Sequence, residues 1–207
     1  MIRVHHLNDS RSQRILWLME ELGLAHEIVF HQRDPETRLA PPSLLAVHPL
    51  GKSPVVEMDG ETLIESGAII ETVIRRKGGG RLAPAPDSAG FDRYVEWLHY
   101  AEGSAMLPLM LRLYVSRLGE AGAPLHPRIE SETANHFGFI EGALAGRDWL
   151  VGATLSGADI QMSFLGEIAK AQGMLPRYPA IAQWVARFQA RPAYQRALAR
   201  GGPYSFA

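Results

Sequence analysis

The spacing of apolar residues changes near position 80, and this change constrains the fold more than any other feature. Before it, short runs suited to strands alternate with runs of helical period. After it, only the helical period remains. Residues 2–6 and 26–31 read as strands. Residues 54–58 and 62–64 read as two more, around Asp59-Gly60, a pair that favours a tight hairpin. Residues 11–22 read as a helix with Ile15, Leu18, Met19 and Leu22 on one face and Gly23 at its end. Residues 66–77 read as another, carrying Ile69, Ile70, Val73 and Ile74. A further helix between the second and third strands is left open, giving the order βαβαββα. Gly78-Gly79-Gly80 and the Pro- and Ala-rich stretch to Ser88 form a linker. Beyond it, residues 91–118, 128–144, 157–171, 179–191 and 193–200 all read as helix. The expectation is an α/β domain over residues 1–80 and an all-α helical bundle over residues 88–207.

Composition narrows the function. Lys and Arg total 21 against 22 Asp and Glu, a net charge of −1, which argues against a general nucleic-acid binder. There is no cysteine, so disulfides, thiolate metal sites and cysteine nucleophiles are excluded, in keeping with a reducing compartment. No secretory signal and no apolar run near the roughly 20 residues needed to span a bilayer is visible. A cytoplasmic protein without a membrane partner is expected.

Several motifs are decoys. Gly51-Lys52-Ser53 resembles the end of a phosphate-binding loop, but that motif needs glycine where Ala46 stands. The triple glycine follows a helix, not a strand, so it is no dinucleotide fingerprint. The eight histidines show no ligand spacing, and no metal is expected. His5 and His6 are adjacent on a strand and point to opposite faces.

Four stretches carry more. Ser10-Arg11-Ser12-Gln13 lies between the first strand and first helix. It reads either as a capping box, with Ser10 as N-cap and Gln13 as its reciprocal partner, or as an anion site at a positive helix end. Ser53-Pro54 opens a strand; a trans bond is the ordinary state, and a cis bond would expose a backbone N–H and C=O pair for an extended peptide. Glu65-Ser66 begins a helix and is either a cap or a site where Ser66 takes a carboxylate and Glu65 an α-amino group. Leu155-Ser156-Gly157-Ala158-Asp159-Ile160 is a capping box with a hydrophobic staple, a folding signal ahead of a helix apolar on most sides.

Taken in order, Ser10–Trp17, the segment 48–55, Glu65-Ser66-Gly67-Ala68-Ile69 and the segment 151–160 resemble the glutathione S-transferases over nearly the whole chain, in a serine-type, theta-like or bacterial-fungal form. The resemblance implies a thioredoxin-like N-terminal domain, an all-α C-terminal domain and a homodimer. It implies glutathione as co-substrate, conjugated to a small hydrophobic electrophile in detoxification, with peroxidase activity as a possible addition. Pro54 matches the family's cis-proline, Ser53 the residue that pairs with the cysteinyl backbone, Glu65 and Ser66 the pair holding the γ-glutamyl head, and Lys52 a position near the glycyl carboxylate. Ser10 matches the residue serving the thiol, with Asn8 as the other candidate donor. Residues 1–30 contain no tyrosine, so the tyrosine-type mechanism is excluded. Trp97, Met106, Met110 and Tyr114 either line the electrophile pocket or are core or dimer contacts. The rival readings are a non-catalytic binding or regulatory protein of the same fold, and a glutathione-dependent lyase or reductive dehalogenase.

Overall fold

The structure is a computed structural model describing all 207 residues. Its first part contains β1 (Ile2–Leu7), α1 (Ser12–Leu22), β2 (His26–His31), α2 (Pro42–Val47), β3 (Val55–Met58), β4 (Glu61–Leu63) and α3 (Ser66–Lys77). The strands form one mixed sheet in the order β2-β1-β3-β4, with β1 parallel to β2 and antiparallel to β3. The open element is α2, which starts with Pro42 in the first turn, where its missing N–H costs nothing. Asp59 and Gly60 both have positive φ, 55° and 83°. That is the turn whose twist suits a two-residue hairpin.

Because β1 lies inside the sheet and both faces are covered, even its histidines are buried. His6 faces α1, where it meets Ser12. His5 faces the other way, bonding His31, which in turn bonds Ser43 of α2. The alternation expected of a strand therefore holds at this pair.

The helix α1 is buried on every side from Ser12 to Met19. One side meets the sheet and the other meets later helices, where Trp17 stacks on Phe188 at 5.4 Å and meets Tyr194 edge-on at 5.5 Å. The sequence shows only the first face, because Ser12, Gln13 and Arg14 interrupt the second.

The second part is helical: α4 (Ala89–Tyr100), α5 (Met106–Val115), α6 (His126–Leu144), α7 (Gly157–Ala171), α8 (Pro179–Gln189) and α9 (Pro192–Gly201). The single helix expected over 91–118 is divided. A π-helical turn, Ala101–Ala105, separates α4 from α5. Pro108 has no N–H for the Ser104 carbonyl, and the Met106 N–H reaches back five residues to Ala101. Past Val115 the chain tightens into 3-10 turns and bends at Gly119, whose φ is 54°.

At the start of α7, Ser156 and Asp159 form the expected capping box. The Asp159 carboxylate accepts the Ser156 N–H and hydroxyl, the Leu150 N–H and the Trp184 indole N–H, at 2.9–3.1 Å. A Cβ on Gly157 would lie 2.6 Å from the Ile74 side chain, so glycine lets α7 press its first turn on α3. One continuous apolar cluster runs from β1, α1 and α3 through α4 to α9. No helix is long and apolar enough to cross a membrane.

Candidate active site

A cleft of about 240 Å³ opens where the first turn of α1, the Ser53–Pro54 turn, the first turn of α3 and the π-helical turn meet. Lys52, Ser53, Pro54, Glu65 and Ser66 all line it, joined by Arg11 and Glu102. Five of the seven candidate residues, spread over fifteen positions of sequence, are thus gathered on one surface.

The Ser53–Pro54 bond is cis. The Ser53 hydroxyl donates to the His5 carbonyl at 3.2 Å, and Lys52 stands exposed on the rim. Glu65 precedes α3 with φ 63° and ψ 112°, a backbone conformation that L side chains rarely adopt. No side chain caps α3, and Ser66 is buried at its first position. The first N–H groups of α3 therefore remain available, at a helix end that carries partial positive charge.

Ser10 sits behind the cleft wall, buried, with its Oγ 3.4 Å from Ser53 Oγ and 2.8 Å from Ser12 Oγ. The capping box expected there is not formed. The helix begins at Ser12, whose N–H donates to Ser10 Oγ at 3.2 Å. The Gln13 amide makes no hydrogen bond and lies towards Gly201. The chain turns through positive φ at Asp9, 49°. Gln13 is then buried between α1 and α9, away from the Ser10 backbone.

Asn8 is elsewhere. Its Oδ1 accepts the Arg33 N–H at 2.8 Å, and it borders a separate cavity with His6, Asp9, His31 and Ser205. Trp97 and Met106 are buried in the core, Met110 is half-buried and Tyr114 is exposed. None of the four lines the cleft.

Three charged residues went unassigned in the sequence. Arg11 Nε donates to both Glu102 oxygens, at 2.9 and 2.8 Å. Arg14, 3 % exposed, donates to Glu102 and to the Gln161 carbonyl. Burial disfavours the Glu102 anion, but Arg14 and Arg11 outweigh it and hold its pKa below the ordinary carboxylate value. The Phe164 ring packs under both guanidinium groups, at 5.1 and 5.5 Å. The S-R-S-Q-R run contained the arginines but gave no reason to prefer them over surface charges. Glu102 is delivered by the π-helical turn, whose one local signal is Pro108. No group of three or more His, Asp or Glu side chains is placed to hold a metal.

Two stretches of the chain match known proteins. Residues 10–76 match the family model for the glutathione S-transferase N-terminal domain, and residues 104–192 the model for the C-terminal domain. The chain is 35% identical to glutathione S-transferase 1 of Saccharomyces cerevisiae, over 94% of this chain and 92% of that protein. It is 33% identical to glutathione S-transferase 3 of Schizosaccharomyces pombe, over 93% and 85%. A crystal structure of a glutathione S-transferase from Actinobacillus pleuropneumoniae superposes with a TM-score of 0.90 at 32% identity, covering 99% of this chain and 94% of that one. A sphingomonad glutathione S-transferase complexed with glutathione shares the fold, with a TM-score of 0.81 at 24% identity, covering 97% and 98%. With both halves matched in order, and relatives above 30% identity spanning nearly its whole length, this chain belongs to the glutathione S-transferase family.

Proposed function

We propose that the cleft binds glutathione and presents its thiolate to a small hydrophobic electrophile. The observation that carries this is the convergence of Ser53, Glu65 and Ser66 on one cleft, with Ser10 directly behind its wall, 3.4 Å from Ser53 Oγ. Each part of the tripeptide has a chemically matched partner there. The free N–H groups of α3 and the Ser66 hydroxyl suit the γ-glutamyl carboxylate. The Glu65 carboxylate suits the α-amino group, the Ser53 backbone the cysteinyl amide, and Lys52 the glycyl carboxylate.

A free thiol has a pKa near 8.5, and the thiolate is the nucleophile. The Ser10 hydroxyl is the donor we assign to the sulfur, and the positive end of α1 favours the same anion. A fall of about two pKa units, roughly 2.7 kcal/mol, makes most of the bound thiol anionic at neutral pH. The thiolate then forms a carbon–sulfur bond as the leaving group departs with its electron pair, and the thiol proton passes to solvent. With a hydroperoxide in place of the carbon electrophile, the same thiolate gives peroxidase chemistry.

Family membership also supports a homodimer acting in the cytoplasm in detoxification. The exposed Leu107, Leu111 and Tyr114 on α5 are apolar surface of the kind a second copy covers. Titration calorimetry with glutathione tests the reading. Saturable heat is expected, with competition by S-substituted glutathione. No heat and no competition at millimolar ligand overturns it.

A further inference from the structure

We propose that Ser12 is a positioning residue for the transfer reaction, acting with His6 to direct the Ser10 hydroxyl towards the substrate sulfur. This rests on the reading of Ser10 as the thiol's hydrogen-bond donor.

Three buried side chains stand in line behind the cleft. His6 Nδ1 is 2.8 Å from Ser12 Oγ, and Ser12 Oγ is 2.8 Å from Ser10 Oγ. All three residues are at most 4 % exposed, so water does not compete for these bonds. The backbone pins the middle member. The Leu7 N–H donates to Ser12 Oγ at 3.1 Å, and the Leu7 carbonyl lies 3.2 Å from the same atom. The Ser12 N–H in turn occupies one lone pair of Ser10 Oγ at 3.2 Å.

Counting protons shows what this achieves. Ser12 Oγ has two lone pairs and one proton, and the Leu7 N–H takes the first lone pair. Burial lowers the His6 pKa to about 4, so the ring is neutral near pH 7 and carries one N–H. If that hydrogen is on Nδ1, it fills the second lone pair of Ser12. The Ser10 proton then has no near acceptor but Ser53 Oγ at a long 3.4 Å. If it is on Nε2, Ser12 donates to Nδ1, and the Ser10 proton chooses between the last lone pair of Ser12 and the incoming sulfur anion. A charged acceptor makes roughly twice as strong a bond as a neutral one. With the hydrogen on Nδ1, the Ser12 proton is left for Ser10 Oγ, which is held in place by its oxygen and gives its own proton to the thiolate. This is the arrangement that Ser12→Ala removes. With the hydrogen on Nε2, Ser12 competes with the thiolate for the Ser10 proton, so a fall in the bound thiol pKa in Ser12→Ala overturns the positioning role.

The placement follows from local geometry. Strand alternation turns His6 towards α1 while His5 turns towards α2, and the β1–α1 turn brings Ser12 back against Leu7. The Ser12 hydroxyl does not cap α1, whose N-cap is Arg11.

The test is a thiol titration of bound glutathione by thiolate ultraviolet absorbance, with steady-state kinetics, on Ser10→Ala, Ser12→Ala, His6→Leu and His6→Asn. Ser12→Ala is expected to raise the bound thiol pKa by about one unit, a tenfold loss of thiolate at acidic pH. The KM for glutathione should stay within about twofold, and kcat should recover as pH rises, because binding contacts are untouched and only the thiolate fraction changes. His6→Leu is expected to reproduce the shift. His6→Asn, which keeps a polar atom near the Nδ1 position, is expected to restore most of the wild-type value. The His6 pair carries the test should Ser12→Ala fold poorly. A shift in Ser10→Ala with none in Ser12→Ala and His6→Leu overturns the positioning role alone. An unshifted thiol in Ser10→Ala overturns the assignment of Ser10, and this proposal with it.

Discussion

Arg11 Nε lies 2.9 and 2.8 Å from the two carboxylate oxygens of Glu102, a bond that joins the first turn of α1 to the π-helical turn between α4 and α5. The cleft is therefore walled from both halves of the chain. Arg14 shares the same carboxylate from a fully buried position, so two cations and one anion meet at the cleft edge.

Glu102→Gln is expected to lower the unfolding free energy by about 3 kcal/mol at neutral pH, because it leaves the Arg14 charge buried without a counter-ion. The Glu102 pKa is held below its ordinary value. Its stabilisation is therefore present above the unfolded-state pKa and is lost as pH falls through the folded-state one. Urea unfolding of both proteins should show the gap narrowing on acidification. A gap that stays constant with pH contradicts the ionic account.

Glu167 has the opposite sign. Its two oxygens accept the Tyr194 and Tyr204 hydroxyls, each at 2.6 Å, and burial raises its pKa from 4.5 to about 7. The fold favours the protonated form. Its contribution is complete below the unfolded pKa and is lost as pH rises through the window from 4.5 to about 7. Relative to Glu167→Gln, wild-type stability should fall with a slope approaching 1.4 kcal/mol per pH unit, about the linkage limit for one proton. Parallel pH profiles for the two proteins count against this assignment.

Ser156→Ala should cost about 1 kcal/mol, the usual loss of an N-cap. Asp159→Ala should cost several times more, because the Leu150 N–H and Trp184 indole N–H lose their shared acceptor in the core. Denaturant titrations check both values. Activity per folded molecule should be unchanged in Ser156→Ala, whose side chain lies outside the cleft.

Asn8→Ala should cost about 1 kcal/mol by freeing the Arg33 N–H, and should leave the pKa of bound glutathione where it is. Ser10→Ala should raise that pKa and lower turnover. The reverse pattern, read by the same thiolate absorbance, assigns the sulfur's donor to Asn8.

Much of the architecture was legible in particular residues. Asp59-Gly60 announced the hairpin, Ser156 and Asp159 the start of α7, and the triple glycine the passage from mixed to helical structure. These features depend on a few neighbouring residues, so a linear reading reaches them. The Ser10–Gln13 capping box failed for a different reason. Its spacing was correct, but burial between α1 and α9 claimed Gln13, a competition that the local motif does not record. The unbroken helix over 91–118 failed because apolar period persists through Pro108 while the hydrogen-bond register does not.

The sequence by itself determined the two-part organisation, the candidate cleft residues on either side of α1, and the absence of any endogenous thiol. With no cysteine in 207 residues, thiol chemistry at this cleft has to use sulfur carried by a bound molecule. Only the tertiary structure decided that Ser53, Glu65 and Ser66 meet at one surface with Ser10 behind it, that Ser53–Pro54 is cis, that Glu102 closes on Arg11 and Arg14, and that Asn8 faces another cavity. Propensity and period act over a few residues and are written along the chain. Contacts across 43 or 91 positions arise only when burial brings separate elements together, and side chains that look like surface charge or a simple cap then take their partners from the other half of the fold.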